Sequence, residues 1–271
     1  MATLTGYAVK ISWLGADHTY VLSSEGHKWG CWGRDAGGKA ICSGNGSASV
    51  ANCISQPKST SGLIYAVTGV CHQTANRILY PARAIVSRAR GYWASSLVYG
   101  TYGTDGLAWI IRRTACGMAK GAETSAATGR SAGLSTARGE VGYLKAIDAL
   151  YTTAAKKAAS PLALGRALAK PSNLVLMETD ITVAYRLGKD ARPTSVSGVK
   201  KMQKALFANK VTLDGKYNNN QISKKKYADR VNDLVKKMLD RAEKELGAEQ
   251  FTRIFGLERG ERIGLVDKAS L

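Results

Sequence analysis

Gly69-Val70-Cys71-His72-Gln73-Thr74-Ala75-Asn76-Arg77-Ile78-Leu79 is the stretch whose residue types and spacing fit nucleophilic chemistry. An apolar run from Leu63 to Val67 ends at Thr68-Gly69, and from Thr74 through Ala82 and Ile85 the spacing is helical. Cys71 therefore falls in the first turn of a helix. Unpaired N–H groups and the positive end of the helix dipole favour thiolate over thiol there, which is what a nucleophilic cysteine needs. The chain has three histidines, His18, His27 and His72, and none follows position 72. The papain order, with cysteine first and histidine far downstream, is excluded, so a histidine base for Cys71 must come from upstream.

Two upstream histidines lie on a segment that reads as a hairpin. Asp17 to Ser23 has strand alternation, Glu25-Gly26 suits a turn, and His27 to Trp32 reads as the returning strand. That hairpin would carry His18 and His27 on neighbouring strands facing one helix N-terminus. Histidine on a strand, a polar residue on the next and cysteine opening a later helix resembles the circularly permuted NlpC/P60 group of papain-like proteins. That group includes the lecithin–retinol acyltransferase-like hydrolases and transferases. The resemblance spans roughly residues 10 to 115 and is one of order and local context. It implies an α+β fold with a papain-like core of antiparallel strands plus the cysteine-bearing helix, followed by a largely helical C-terminal region. It makes Cys71 the nucleophile, His18 the base and His27 the residue that orients the base. The small residues usual around the first histidine are not matched, so the two histidine roles stay open to exchange.

Each residue also has a plainer reading. A cysteine at a helix start serves equally as a small buried apolar residue. His72 lies on a different helix face from Cys71 and reads as a surface or structural histidine. Gln73 is a candidate oxyanion donor, against the commoner role of a helix-surface glutamine.

Five cysteines give an odd count. Cys31, Cys42 and Cys53 recur at equal intervals, but zinc sites bring their ligands in close pairs such as C-x-x-C, and there is none. No metal or other cofactor is expected. A Cys42–Cys53 disulfide across the Ser43–Ser49 turn region suits an oxidising compartment; reduced thiols are the favoured expectation, with Cys116 and Cys71 outside the series.

At 271 residues the chain is long enough to bury a large core. It has no apolar stretch long enough to span a membrane and no charged-then-apolar leader. The expected location is cytoplasmic, or exported without a classical signal peptide. Composition divides the chain into three zones. Residues 1–115 form the papain-like α+β core, with turns at Gly37-Gly38 and Gly44-Asn45-Gly46. In this zone the Cys71 helix runs to about Leu79, bends at Pro81 and resumes through Arg90, and residues 92–111 read as strands or as a helix followed by a loop. Residues 116–170 begin with a Gly/Ala/Ser-rich stretch from Cys116 to Arg138, expected to be a loop able to cover the site. A helix from Glu140 to Ala159 follows, then a short one opened by Ser160-Pro161. Residues 171–271 are basic and helical, with an amphipathic helix from Ser223 to Leu246 ended by Gly247.

The net charge of +19 is spread along the whole chain. Such a protein binds polyanions nonspecifically and in a salt-dependent manner. No zinc finger, RNA-recognition or helix-turn-helix pattern accompanies the charge. The leading function is therefore a cysteine-nucleophile enzyme that cleaves or transfers an amide or ester acyl group through a Cys71 acyl-enzyme, acting on a peptide, cell-wall or other acyl-bearing substrate. A peptidase, an amidase, a deamidase or an acyltransferase would each fit. The alternatives are a noncatalytic basic protein that binds nucleic acid or another polyanion, and a metal protein using Cys31, Cys42, Cys53 and a histidine.

Overall fold

Alternation of inward apolar and outward polar residues makes Ala2–Ile11 the first strand, β1, with Ala2, Leu4 and Ala8 buried and Thr3 and Lys10 exposed. In this computed structural model residues 1–30, 33, 35–56, 60–112, 116, 137–158, 165 and 172–270 are described. β1 pairs antiparallel with β2 (Ala16–Ser23) in the register Leu4↔Ser23 to Ile11↔Ala16. On its other side it pairs with β4 (Lys39–Gly46), while β3 (Lys28–Trp29) meets β2 only at Val21 and Leu22. The sheet order is β3-β2-β1-β4. Because β3 is so short, the outer edge of β2 from Ala16 to Tyr20 has no strand beside it among the described residues, and its backbone groups need other partners.

The expected turn at Gly44-Asn45-Gly46 is instead the end of β4. Glycine is needed there for close approach: a Cβ on Gly44 would stand 2.3 Å from the Ala82 carbonyl oxygen. The turn at Gly37-Gly38 is present, with both glycines at positive φ.

Eight α-helices follow among the described residues. α1 (Ala48–Ser55) is capped by the Ser47 hydroxyl, which accepts from Val50 N–H. α2 (Cys71–Ile78) carries the cysteine at its first position. Past it, Tyr80–Ala82 forms one 3₁₀ turn and Arg83 is left-handed at φ 50°. The helix thus ends at this turn and does not resume through Arg90; a proline early in the turn followed by a left-handed residue closes it. Residues 92–111 are helices joined by a loop, α3 (Tyr92–Tyr99) and α4 (Gly106–Arg112), and not strands. The chain continues with α5 (Ala137–Lys157), α6 (Ser172–Leu187), α7 (Pro193–Asn218) and α8 (Lys224–Phe255). Ser223 caps α8 as expected, and Gly247, at φ 74°, ends its first segment; a second helical segment then runs to Phe255. Cys31, most of the Gly/Ala/Ser-rich stretch and the Ser160-Pro161 helix start lie outside the described residues.

The fold is therefore α+β, a four-stranded antiparallel sheet with a largely helical remainder. Two apolar clusters fill it. One joins the sheet to α1, α2 and α5 through residues such as Leu4, Ile54, Ile78 and Ile147. The other joins α3 to α6, α7 and α8 and extends to Ala66 and Val70, immediately before the cysteine. The hydroxyls of Tyr99 and Tyr227 both donate to the Ala66 carbonyl, and Lys210 Nζ donates to Val67 O at 2.8 Å. The basic helical region thereby fixes the loop that enters α2. Residues 257–270 close over the same side: Asn232 bonds the N–H groups of Leu265 and Val266, and Gly264 N–H donates to Leu14 O.

α2 is the element around which these parts are arranged, and all eight of its residues are buried. Its polar side chains run along one loop: Gln73 Nε2 donates to Gly100 O, Asn76 Nδ2 to Thr101 O and Arg77 Nε to Tyr102 O. Arg77 also donates to Ser61 O and to the Asp105 carboxylate. Removing the guanidinium would leave two buried carbonyls and a carboxylate without their donor, so Arg77→Ala should cost roughly 3–5 kcal/mol in chemical denaturation. A loss under about 1 kcal/mol would show that the ladder does not support the helix.

Candidate active site

The exposed edge of β2 receives the start of α2. Asp17 N–H donates to Arg90 O, so the peptide groups of Asp17 point away from β1. On that same side the Asp17 carbonyl accepts from His72 Nε2 at 3.1 Å and lies 3.9 Å from Cys71 Sγ. Thr19, two residues on, presents its N–H to this side too, within reach of the Cys71 sulfur. The helix start thus takes the place of the missing edge strand, which positions Cys71 against the strand that carries His18.

His18 is 2% exposed and its ring faces Cys71 on one side, while its Nε2 meets Asp35 Oδ1 at 2.9 Å on the other. Burial disfavours an imidazolium, but the hydrogen bonds and charges of Asp35 and Cys71 outweigh it and push His18 up to about 10. Burial likewise opposes a thiolate at Cys71. The His18 hydrogen bond and charge, with the Thr19 N–H and hydroxyl, outweigh that and hold the thiol below its ordinary value. Cys42 supplies the control within the same molecule. It is a free thiol packed beneath the sheet against Gly6, and with no imidazole beside it burial pushes it up to about 12. The two thiols thus shift in opposite directions, and His18 is the largest favourable influence that Cys71 has and Cys42 lacks.

Gly30 and Gly33 lie close against this pair. A Cβ on Gly33 would stand 2.7 Å from His18 ring atoms, and one on Gly30 would overlap the Asp35 carboxyl. Glycine at both positions lets backbone cover the imidazole and its acid. Asp35 is the functional residue that sequence reasoning missed. Its only local signal is a lone carboxylate in a glycine-rich turn, seventeen residues beyond His18.

The structure brings Cys71 and His18 together and leaves His27 elsewhere. His27 is exposed at the end of the hairpin, stacked on Trp29, with its carbonyl accepting from Ser23 N–H. Ser23 is five residues along β2 from His18, about 16 Å at about 3.3 Å per residue. Asp35, not His27, stands where an orienting group must. Gln73 is also engaged otherwise: its Oε1 accepts from Val70 N–H and its Nε2 donates to Gly100 O, so its amide has no donor aimed at the sulfur. The N–H groups of Cys71 and His72, which precede the first intrahelical bond, are the oxyanion donors the geometry offers. His72 is neither a surface residue nor a base. Its ring bonds Ser95 and the Asp17 carbonyl, and burial holds it down at about 3, hence neutral.

The cysteine expectations change as well. Cys53 forms a disulfide with Cys116, not with Cys42, tying α1 to the residues beyond α4. That bond removes one thiolate from any Cys31–Cys42–Cys53 metal set, and among the described residues no group of three His, Cys, Asp or Glu side chains converges as ligands. The rim of the site is aromatic. Tyr65, near enough to feel the Cys71 charge, accepts from Asp267 N–H, and Trp13, 70% exposed, donates to the Asp267 carboxylate at 3.3 Å. No helix among the described residues is long and apolar enough to cross a membrane.

Scans against protein-family models, curated proteins and solved structures gave no match to this chain.

Asp35 and Cys71 together hold the His18 proton, so neutralising Asp35 should lower His18 and raise Cys71. Asp35→Asn is expected to slow alkylation of Cys71 at about pH 6 by about 10- to 1,000-fold, because an opposite charge at this range moves a pKa by about 1 to 3. An unchanged rate–pH profile would remove Asp35 from the site.

Proposed function

We propose that this protein is a cysteine-nucleophile enzyme that cleaves or transfers an acyl group held in an amide or ester bond. The observation that carries the reading is the Cys71–His18–Asp35 arrangement, with thiol and imidazole buried, the thiol lowered and the imidazole raised. The Cys71 thiolate attacks the acyl carbon, forming the S–C bond as the carbonyl π pair moves to oxygen. The first-turn N–H groups of α2 receive that oxyanion. On collapse the C–N or C–O bond breaks, and His18 gives its proton to the departing amine or alcohol. Neutral His18 then takes a proton from water or an acceptor amine, whose attack on the thioester releases the acyl group and restores the thiolate. Asp35 holds the ring and its positive charge throughout, as an acid does in Cys-His and Ser-His sites generally.

The order of parts supports the permuted papain-like reading: histidine on a strand, an acid on the following loop and cysteine opening a later helix, on antiparallel strands. Peptides, cell-wall polymers and other acyl-bearing molecules are the proposed substrate classes, and the net charge of +19 favours those carried on a polyanion. The Cys53–Cys116 bridge favours the exported alternative over a cytoplasmic one.

The pH dependence follows from the two shifts. Thiolate persists below the ordinary cysteine range, and imidazolium persists up to about 10. Both charges coexist in the interval between, and the pair is lost as pH rises through the His18 value. Iodoacetamide at about pH 6 should therefore label Cys71 within minutes, located by peptide mass, while Cys42 stays unlabelled in the native protein. Cys71→Ser should abolish that label and turnover of any acyl substrate, and His18→Ala should abolish both as well. His27→Ala should change neither by more than about threefold, since its ring lies outside the pair. Slow labelling of Cys71, matching that of Cys42, would refute the nucleophile assignment; loss of reactivity in His27→Ala with retention in His18→Ala would exchange the histidines.

A further inference from the structure

Thr19 follows the base on β2 and is 1% exposed. Its hydroxyl makes no hydrogen bond of ordinary geometry among the described residues, although it is wholly inside the protein. A buried hydroxyl left in that state is destabilising, and valine has the same shape without the penalty. What the hydroxyl lies against is the Cys71 sulfur, which the Thr19 backbone N–H also faces across the open strand edge. Among the described residues the other ionisable groups around the sulfur are His18 with Asp35 behind it, Tyr65 with Asp267 behind it, and neutral His72 on α2. Tyr65 stays protonated, because burial and the Cys71 charge both raise it. Among these groups only His18 brings positive charge, and its single ring contact cannot surround an anion. The Thr19 N–H and hydroxyl approach the sulfur from the strand.

We propose that the Thr19 hydroxyl is a catalytic donor to the Cys71 sulfur, retained at a position where an apolar isostere would stabilise the fold. This rests on the reading of Cys71 as a thiolate nucleophile and adds a residue to it. The hydroxyl donates a hydrogen bond to the thiolate without transferring its proton. When the sulfur bonds to an acyl carbon, its charge passes to the carbonyl oxygen and the hydroxyl is freed to rotate. The same contact re-forms when the thioester is cleaved and the thiolate leaves. The resting thiolate is thereby held on the side of α2 where the first-turn N–H groups lie, and its population at low pH rises.

The test compares wild type, Thr19→Val and Thr19→Ser by the rate of Cys71 carbamidomethylation against pH, beside thermal unfolding of each. Thr19→Val is expected to melt at the same or a higher temperature, while its alkylation rate at about pH 6 falls about tenfold and the midpoint of the profile moves to higher pH. Thr19→Ser, which keeps the hydroxyl, is expected to stay within about threefold of wild type at every pH. A Thr19→Val profile that overlays wild type would overturn the proposal and leave the nucleophile assignment standing. A Thr19→Val protein with lower thermal stability and an unmoved midpoint would make Thr19 a packing residue only. Should wild-type Cys71 itself resist alkylation at about pH 6, both the nucleophile reading and the role of Thr19 would fall.

Discussion

Two ionisable groups are buried side by side at the sheet edge, and neither tolerates burial alone. A lone thiolate or a lone imidazolium out of water loses several kcal/mol of hydration. Paired, and with Asp35 and Thr19 at the two ends, each favours the charged form of the other. Cys42 shows the alternative, a thiol that burial and the Glu140 charge push up, with only Gly6 and the Arg88 charge to oppose them. Most of the architecture follows from having to hold the Cys71–His18 contact at fixed geometry.

That contact is held from three directions. The short β3 leaves an edge of β2 open, so that Asp17 and Thr19 turn backbone groups toward the start of α2. The polar side chains of α2 anchor it to the carbonyls of Gly100, Thr101 and Tyr102, a ladder that fixes the helix along its axis. The basic C-terminal helices grip the loop before Cys71 through Tyr227 and Lys210, and the final segment meets Tyr65 and Trp13 at the rim. The helical region is therefore part of the scaffold of the site, whatever its surface binds. Several of its surface charges are paired, as in Lys268–Asp229 and Arg262–Asp240, consistent with a solvated ionic face.

The sequence made some of this legible and concealed the rest for physical reasons. Cys71 at a helix start, the β2–β3 hairpin, Ser223 as a cap and Gly247 as a stop were all readable, because local geometry demands those residue types. The site's third member was not. Asp35 meets His18 from a glycine-rich stretch that carries no periodicity, whereas His27 lay in the expected hairpin and attracted the role by proximity in sequence. α2 misled in a different way. Gln73 has a plain reading as a helix-surface glutamine, but it, Asn76 and Arg77 are all buried and satisfied by loop carbonyls far along the chain. Polar residues identify a surface only when no internal acceptor awaits them. The same limit applies to Cys53, whose partner Cys116 sits 63 residues away and outside the evenly spaced series.

The central claim is that Cys71 and His18 exist as a thiolate–imidazolium pair in the resting protein. Its most direct test is the ultraviolet thiolate absorbance of wild type minus that of Cys71→Ser, followed through an acid-to-base titration. The account requires one thiolate already present at about pH 6, with no further step from Cys71 up to about pH 9. A difference spectrum that is blank at about pH 6 and rises only above about pH 8, as for an ordinary thiol, would contradict it.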